Sequence, residues 1–275
     1  MPQSVRIGGL SPMPALKPIW RSAALLLALA VPCLALHTDT ARLVHVSPRL
    51  ARLPALTLWA WERPENLTTL DPASTAVAYL ERTLLLGPGV LTVPRRQSLA
   101  LPDGVTRIAV VRLEALPGAP FDAAQRRAAV GQLLEAARRP AVSALQVDFD
   151  ATRSQRAFYS ALLADLRRQL PATMPLSITA LASWCSSDDW IGALPVDEAV
   201  PMFFRMEPGR NPVEPDRPAL RIREPLCMSS AGISTRERWP ENLAGKRVYV
   251  FPDRGWRQDL AYLAARQQDP RGVRP

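Results

Sequence analysis

Histidine is nearly absent from the chain, and this absence removes several kinds of catalytic site. The only two histidines, His37 and His45, lie ahead of the first predicted strand. We therefore expect no Ser-His-Asp or Cys-His catalytic arrangement and no histidine-ligated zinc or iron site in the folded part. The sequence also contains no P-loop and no dinucleotide-binding fingerprint. These absences predict a protein without a metal site or a cofactor.

Lysine is almost as scarce, since beyond residue 36 the only one is Lys246. The formal net charge of +9 therefore comes almost entirely from arginine, and the arginines are interleaved with acids instead of forming basic blocks. No stacking-aromatic or groove-reading motif accompanies them, so we predict no nucleic-acid partner. Carboxylate and arginine chemistry remains, and this is the chemistry that glycosidases use.

Cysteine is limited to three residues, of which Cys33 lies in the N-terminal segment. The other two, Cys185 and Cys227, can form one disulfide if the protein resides in an oxidising compartment. Two cysteines this far apart in the sequence can equally be two buried thiols. Both interpretations stay open at the level of sequence.

Residues 1–36 are typical of a signal peptide or an N-terminal anchor. A basic flank precedes an apolar run over residues 23–36, which Pro32 interrupts. The run is short for a membrane span, which needs about 20 apolar residues. We expect an exported protein that is either periplasmic or membrane-anchored and facing the periplasm. Contact with a membrane is expected only through this segment.

Eight apolar segments of strand length follow one another along residues 55–268, a range that we interpret as one domain. The segments lie at 55–62, 75–86, 107–114, 141–150, 176–183, 198–206, 229–235 and 246–253. Three segments with apolar residues at helical spacing lie at 121–139, 154–170 and 257–268. Almost continuously apolar strands that alternate with helices are typical of buried parallel sheets. The pattern predicts an α/β protein with a (β/α)8 TIM-type barrel.

The barrel pattern is irregular between the second and third strands. Residues 84–105 show no helical segment there, and residues 89–95 indicate an additional β-segment. An open doubly wound sheet is the alternative architecture, but no glycine-rich phosphate loop follows any strand. Outside the barrel, we interpret residues 37–54 as a linker and residues 269–275 as a flexible tail.

Charged side chains recur at the carboxyl ends of the predicted strands, where barrels of this type carry their catalytic residues. They are Glu62, Arg112, Glu114, Asp148, Asp150 and Arg205. Residues two apart on a strand share one face, so Asp148 and Asp150 are both expected to point into the barrel mouth. Adjacent carboxylates repel, which raises one pKa and allows the protonated group to act as a general acid. The same carboxylates can equally form ion pairs with the arginines and hold the strand ends together.

Four stretches of the chain resemble an uncharacterised bacterial family of exported proteins, known as a domain of unknown function. They are LQVDFDATRSQRAFYSALLADLRRQLP, LSITALASWC, PVDEAVPMFFRM and AGIST, within about residues 55–256. That family is grouped with the glycoside-hydrolase (β/α)8 barrels. The resemblance implies the barrel fold and does not supply an activity.

A more distant similarity is to chitinase-like hydrolases, whose fourth strand carries alternating acids and ends in a catalytic glutamate. In this similarity Asp148 matches the middle aspartate, Asp150 takes the place of the glutamate, and Gln146 takes a position that is usually acidic. Met202 matches the methionine of a Met-x-Tyr motif in which Phe204 replaces the tyrosine. The shorter acid and the missing hydroxyl argue against substrate-assisted chitinase chemistry.

Aromatic residues near the predicted mouth are candidates for binding sugar rings. Trp61 lies at the end of the first strand, Trp184 follows the fifth and Trp256 follows the eighth. Flat aromatic rings bind the C–H faces of sugars, but tryptophans are also ordinary core residues. We therefore predict these three residues, together with Met202 and the two arginines Arg112 and Arg205, as substrate-binding candidates.

Two hypotheses of function follow. In the first, an exported glycoside-hydrolase-like protein acts on a polysaccharide or oligosaccharide by carboxylate acid/base chemistry. Asp150 is then the general acid and Asp148 its electrostatic partner, while Glu114 or Glu62 is the second carboxylate. In the second, the chain is a non-catalytic carbohydrate-binding or envelope-scaffolding barrel.

Overall fold

Eight parallel strands close into a barrel in the computed structural model, which describes residues 47–188, 190–204, 222–236 and 243–268. The strands of the chain are β1 Leu56–Ala60, β2 Glu65–Asn66, β3 Thr75–Leu86, β4 Val90–Pro94, β5 Leu99–Ala100, β6 Thr106–Ala115, β7 Val142–Asp148, β8 Leu176–Leu181, β9 Glu198–Met202, β10 Ser230–Ser234 and β11 Arg247–Phe251. The barrel runs in the order β1, β3, β6, β7, β8, β9, β10 and β11, and β11 pairs with β1 again. The predicted (β/α)8 fold is confirmed.

Four α-helices belong to the described residues. They are α1 Ala123–Ala137, α2 Arg156–Gln169, α3 Ala182–Ser186 and α4 Trp256–Gln268. The spacing of Phe158, Leu162 and Leu166 gives α2 one apolar face, and all three side chains are buried against the outside of the barrel. No helix among the described residues has the length and apolar character needed to cross a membrane.

The region between β3 and β6 is irregular, as the sequence indicates. After β3 the chain turns back as β4, which pairs antiparallel with the second half of β3. It then forms β5, which pairs with β2 in a separate two-stranded sheet. Residues 87–105 thus place β-structure where a regular barrel has a helix. The outer wall formed by β3 and β6 is covered differently from the rest of the barrel.

Large inward-pointing side chains fill the barrel. Trp59 and Tyr249 are fully buried there and pack with smaller residues such as Val110 and Val200. Residues on the opposite face of the same strands pack against the helices outside. This alternation is what the two-residue period of a strand requires, and it decides which polar residues face the interior.

Residues 47–54, the described part of the predicted linker, pack against the amino-terminal end of the barrel. Pro48–Arg52 form a 3-10 turn whose Leu50 is buried. Ser47 Oγ and Arg49 Nη1 both donate hydrogen bonds to Asp197 Oδ1, at 2.6 and 2.9 Å. The buried Leu50 and several hydrogen bonds to distant parts of the chain fix this segment, and a pattern of that length is too short to be recognised in the sequence.

A buried polar cluster lies at the same end of the barrel, between the first residues of β9 and β11. Glu198 is fully buried, and its Oε1 accepts a hydrogen bond of 2.5 Å from the Tyr249 hydroxyl. Its Oε2 lies 3.3 Å from Arg247 Nε. Arg247 Nη1 also donates to the carbonyl oxygens of Leu53 and Pro54, at 3.1 and 2.9 Å. Burial alone would lower the pKa of Arg247, but Tyr249 and Glu198 outweigh it and raise that pKa.

Cys185 and Cys227 form a disulfide, which decides between the two interpretations left open by the sequence. Cys185 belongs to α3, directly after β8, and Cys227 ends the 3-10 turn Pro225–Cys227 ahead of β10. Both residues are buried. The bond therefore joins two connections that follow different barrel strands.

Replacing both cysteines with serine is expected to lower the free energy of unfolding by about 2–4 kcal/mol. The reason is that the bond joins residues 42 apart in the sequence and so restricts the unfolded chain. Urea denaturation of the wild type and the double variant measures the difference. A reductant should bring the wild type to the stability of the variant and leave the variant unchanged. Equal stability of the oxidised and reduced wild type would contradict the prediction.

Candidate functional site

Asp148 ends β7 with its side chain inside the barrel, where it is almost fully buried. Both carboxylate oxygens are engaged. Oδ1 accepts a hydrogen bond of 2.6 Å from Thr179 Oγ1 on the neighbouring β8, and Oδ2 accepts one of 3.0 Å from Arg112 Nη1 on β6. Asp148 thus links three adjacent strands at their carboxyl ends.

Arg112 connects two of the predicted carboxylates. Its Nη1 contacts Asp148, and its Nε donates a hydrogen bond of 2.8 Å to Glu114 Oε1, two residues further along β6. Burial would lower the pKa of Arg112, but Asp148, Glu114 and Asp150 outweigh it and raise that pKa. Asp148, Arg112 and Glu114 are therefore one ionic group that keeps the guanidinium charged.

Asp150 lies two residues beyond Asp148, at the exposed rim of the barrel. No hydrogen bond or ion pair engages its carboxyl within the described part of the chain. The protein around the carboxyl excludes part of its hydration, and this raises the pKa of Asp150. The negative charge of Asp148 raises it further, against a smaller opposing effect of Arg112. The result is an accessible acid that retains its proton to a higher pH than an ordinary aspartate.

Asp150→Asn is expected to make the fold more stable at neutral pH. Because the folded-state pKa is raised, ionisation of Asp150 is less favourable in the folded than in the unfolded protein. The stabilising effect of the neutral carboxyl is fully present below its ordinary pKa of 3.8 and is lost as the pH rises through the raised value. The variant should therefore exceed the wild type in free energy of unfolding at about pH 7, and match it under acid conditions.

Denaturation curves from about pH 3 to about pH 7 measure this difference. Asp103→Asn is the matched control, since Asp103 is an exposed turn residue and makes no hydrogen bond or ion pair among the described residues. The control should follow the wild type at every pH. An Asp150→Asn variant that is less stable than the wild type at neutral pH would contradict the prediction.

Glu62 has a different environment from the other predicted acids. Its Oε1 accepts hydrogen bonds from the backbone N–H groups of Arg96 and Gln97, at 2.8 and 2.9 Å. The side chain thereby fixes the segment between β4 and β5. No contact among the described residues joins Glu62 to Asp148 or Asp150, so it is not brought together with them.

An aromatic cluster occupies the barrel below the mouth. Trp61 is half-buried, with its ring centroid 4.1 Å from that of Trp59 and 6.4 Å from that of Phe251. Phe204, also half-buried, lies 4.6 Å from Phe251. Trp59 is fully buried and donates a hydrogen bond of 2.8 Å to Gln146 Oε1. Trp61 and Phe204 are therefore the members of this cluster with partly accessible rings.

The remaining predicted substrate-binding residues differ in their positions. Trp184 and Trp256 are buried in the core outside the barrel, at 2% and 0% exposure, so neither ring offers a face to a sugar. The indole N–H of Trp256 donates to the Trp59 carbonyl at 2.9 Å. Met202 ends β9 and is buried, on the same face of the strand as the inward-pointing Val200. Arg205 lies outside the described residues.

Two residues of the site are absent from the sequence-based prediction. Thr179 donates the shortest hydrogen bond to Asp148, and the hydroxyl of the fully buried Tyr159 on α2 lies 3.4 Å from the Val147 carbonyl. Burial, together with the charges of Asp148 and Asp150, raises the pKa of Tyr159. The sequence does contain an indication of Thr179, because Ser177 and Thr179 are alternate polar residues in an otherwise apolar strand. Tyr159 occupies an ordinary core position of its helix, so no feature of the sequence distinguishes it.

Residues 103–205 match the model of a family described as a domain of unknown function (DUF3142). This range includes Arg112, Glu114, Asp148 and Asp150, and the match confirms the resemblance seen in the sequence. No curated protein matches the chain.

Several solved structures are similar to the chain at low sequence identity. The spore cortex-lytic enzyme SleL of Bacillus cereus is 14% identical, with 66% of this chain and 50% of that chain covered and a TM-score of 0.42. The chitinase domain of the spore coat protein CotE from Clostridium difficile is 12% identical, with 56% and 51% covered and a TM-score of 0.37. A GH18 chitinase from Cycas revoluta is 15% identical, with 55% and 56% covered and a TM-score of 0.38. The chain thus spans about half the length of these structures.

Proposed function

We propose that the protein is an exported glycoside hydrolase-like enzyme that acts on a polysaccharide, with Asp150 as the general acid. The observation that carries the proposal is the contrast between two neighbouring carboxyl groups. Asp148 is ion-paired and buried, whereas Asp150 is accessible, has a raised pKa and makes no ion pair with any residue that the structure describes. Two neighbouring acids in such different environments, one buried and ion-paired and the other accessible with a raised pKa, are typical of sites for acid/base catalysis.

In this mechanism Asp150 donates its proton to the glycosidic oxygen as the bond from that oxygen to the anomeric carbon breaks. Positive charge then develops on the sugar ring, as in other glycosidases. Glu114 is the second carboxylate, either attacking the anomeric carbon or taking a proton from the attacking water. Its side chain is 43% exposed, so it remains accessible beside Arg112. If Glu114 has attacked, water then displaces it from the anomeric carbon and gives a proton to Asp150; if Glu114 has instead taken a proton from the attacking water, it releases that proton to solvent and Asp150 is reprotonated from solvent.

Asp148 is a positioning residue in this proposal, because Arg112 and Thr179 occupy both of its oxygens. Burial raises the pKa of Asp150, and the negative charge of Asp148 raises it further. Arg112 fixes Asp148 and Glu114 relative to each other. Trp61 and Phe204 offer the partly accessible aromatic faces on which a sugar ring would stack.

The proposed location outside the cytoplasm is supported by two features. Residues 1–36 have the composition of a signal peptide or anchor. The Cys185–Cys227 disulfide is of a kind that persists in oxidising compartments and is rare in the cytosol. Both features suit a protein that meets a bacterial envelope polysaccharide.

A second candidate function is a non-catalytic carbohydrate-binding or scaffolding barrel. It is favoured by the engagement of three of the four predicted acids. Asp148 and Glu114 are ion-paired with Arg112, and Glu62 holds a loop. In that case the ionic group at the strand ends stabilises the barrel, and Trp61 and Phe204 bind glycan without turnover.

The two functions are distinguished by assaying the exported form on a panel of bacterial polysaccharides, beside Asp150→Asn. The enzyme hypothesis expects a glycan that the wild type cleaves and the variant binds without cleaving. Equal binding of a glycan by both proteins, with turnover by neither across the panel, would overturn that hypothesis and support the second function.

A further inference from the structure

A cleft of about 300 Å³ lies on the outer wall of the barrel, where a helix is missing between β3 and β6. Tyr79 of β3 and Arg107 of β6 line its inner side. Arg95 and Gln97, from the segment after β4, line the opposite side. The irregular connection thus leaves part of the strand wall open, whereas a helix covers such a wall in a regular barrel.

The cleft carries more positive than negative charge. Arg95, Arg107 and Arg139 line it together with one acid, Glu81. Glu81 is already engaged, because it forms ion pairs with Arg82 and, at 3.1 Å, with Arg139. Among the described residues Arg95 donates only to backbone carbonyl oxygens, at 2.7 Å to Trp61, 2.6 Å to Arg63, 3.0 Å to Gln97 and 3.4 Å to Leu80. No carboxylate among these residues forms an ion pair with Arg95.

Arg107 is the most unusual residue of the cleft. Its Nε is buried and has no hydrogen-bond partner. No acceptor among the described residues contacts any other nitrogen of its guanidinium group, and no carboxylate pairs with it. The hydroxyl of the half-buried Tyr79 also makes no hydrogen bond within the described ranges. A buried charged donor without a partner is costly, and such donors are normally satisfied by protein, water or a ligand.

We propose that this cleft binds the carboxylate or phosphate group of an anionic ligand, with Arg107 and Tyr79 as the donors to its oxygens. A guanidinium group presents several N–H donors in one plane and matches the oxygens of either group. Arg95 and Arg139 add positive charge on the opposite sides. A cleft of this volume fits a ligand of about the size of one sugar acid or sugar phosphate. The site is separate from Asp150 and does not depend on its proposed role.

Calorimetric titration of the full chain with inorganic phosphate, with glucuronate and with glucose, at constant ionic strength, tests the proposal. We expect saturable binding of at least one anion and none of glucose. Arg107→Gln should weaken that binding roughly ten- to a hundred-fold, because it removes charge-assisted hydrogen bonds. Tyr79→Phe should weaken it by up to about ten-fold. Tighter binding of glucuronate than of phosphate would identify a carboxylate ligand, and the reverse order a phosphate ligand.

Arg127→Gln is the matched control, because Arg127 is an exposed arginine on α1 without a hydrogen bond or ion pair among the described residues. It should bind the anion as the wild type does, and so should Asp150→Asn. Tyr79→Phe retains the guanidinium and serves as the second test if Arg107→Gln does not fold. The absence of saturable binding for both anions, or unchanged binding in the folded Arg107 and Tyr79 variants, would overturn the proposal.

Discussion

Asp150→Asn should lower the turnover number on a cleaved polysaccharide by about 10²- to 10⁴-fold, the usual contribution of a general acid. Asparagine has the shape of aspartate but no transferable proton. Since Asp150 makes no hydrogen bond within the described ranges, the substitution breaks no structural contact of its side chain. The Michaelis constant should therefore change little, and the loss should lie in the chemical step.

The pH dependence separates this role from a structural one. A general acid must be protonated, so the rate should fall as the pH rises through the raised pKa of Asp150. That limb of the profile should be absent from the residual activity of the variant. Asp103→Asn should retain both the rate and the profile of the wild type. An Asp150→Asn enzyme with the wild-type turnover number would remove Asp150 from the mechanism.

The sequence predicted the elements of this site that depend on local patterns. Alternation along β7 was sufficient to place Asp148 inside the barrel, and Arg112 and Glu114 follow the same rule on β6. The bond from Thr179 to Asp148 depends instead on the register between β7 and β8, in which Val147 pairs with Ile178. Register between parallel strands is set by tertiary packing and cannot be predicted from the sequence of either strand alone.

The aromatic residues show where local patterns fail. Trp184 and Trp256 follow barrel strands directly in the sequence, which made them candidates for the mouth. Both tryptophans instead belong to helices, α3 directly after β8 and α4 after residues 252–255, and both rings are buried in the apolar layer outside the barrel. Trp61 follows β1 without a helix and keeps a partly accessible ring. The same limit applies to the disulfide, whose partners are brought together only by the barrel.

The irregular connection after β3 was visible in the sequence, but the arginine-lined cleft that it leaves open was not. The lack of helical spacing over residues 84–105 predicted the missing helix. In the sequence, Arg107 is only the first residue of the apolar segment 107–114. Within the described part of the chain its guanidinium group has no partner, because no helix covers this wall and other arginines engage Glu81.

Glu198→Ala is expected to lower the free energy of unfolding by about 3–5 kcal/mol, the usual cost of removing one partner of a buried ion pair. The variant leaves the charge of Arg247 without a carboxylate, in a place where its side chain is 8% exposed. It also removes the acceptor of the Tyr249 hydroxyl. Chemical denaturation measures the loss. Asp253→Ala, which removes an exposed pair with Arg236, should cost no more than about 1 kcal/mol.

The double variant Glu198→Ala with Arg247→Met distinguishes an uncompensated charge from a loss of packing. If the cost of Glu198→Ala comes from the unpaired guanidinium, replacing Arg247 with an apolar side chain of similar length should recover part of the stability. If the loss of stability comes instead from the cavity that replaces the Glu198 side chain, Arg247→Met should lower the free energy of unfolding further. A single Glu198→Ala variant within about 1 kcal/mol of the wild type would show that this cluster does not stabilise the barrel. Arg247 would then have to be satisfied by the carbonyl groups of Leu53 and Pro54 and by the Tyr249 hydroxyl.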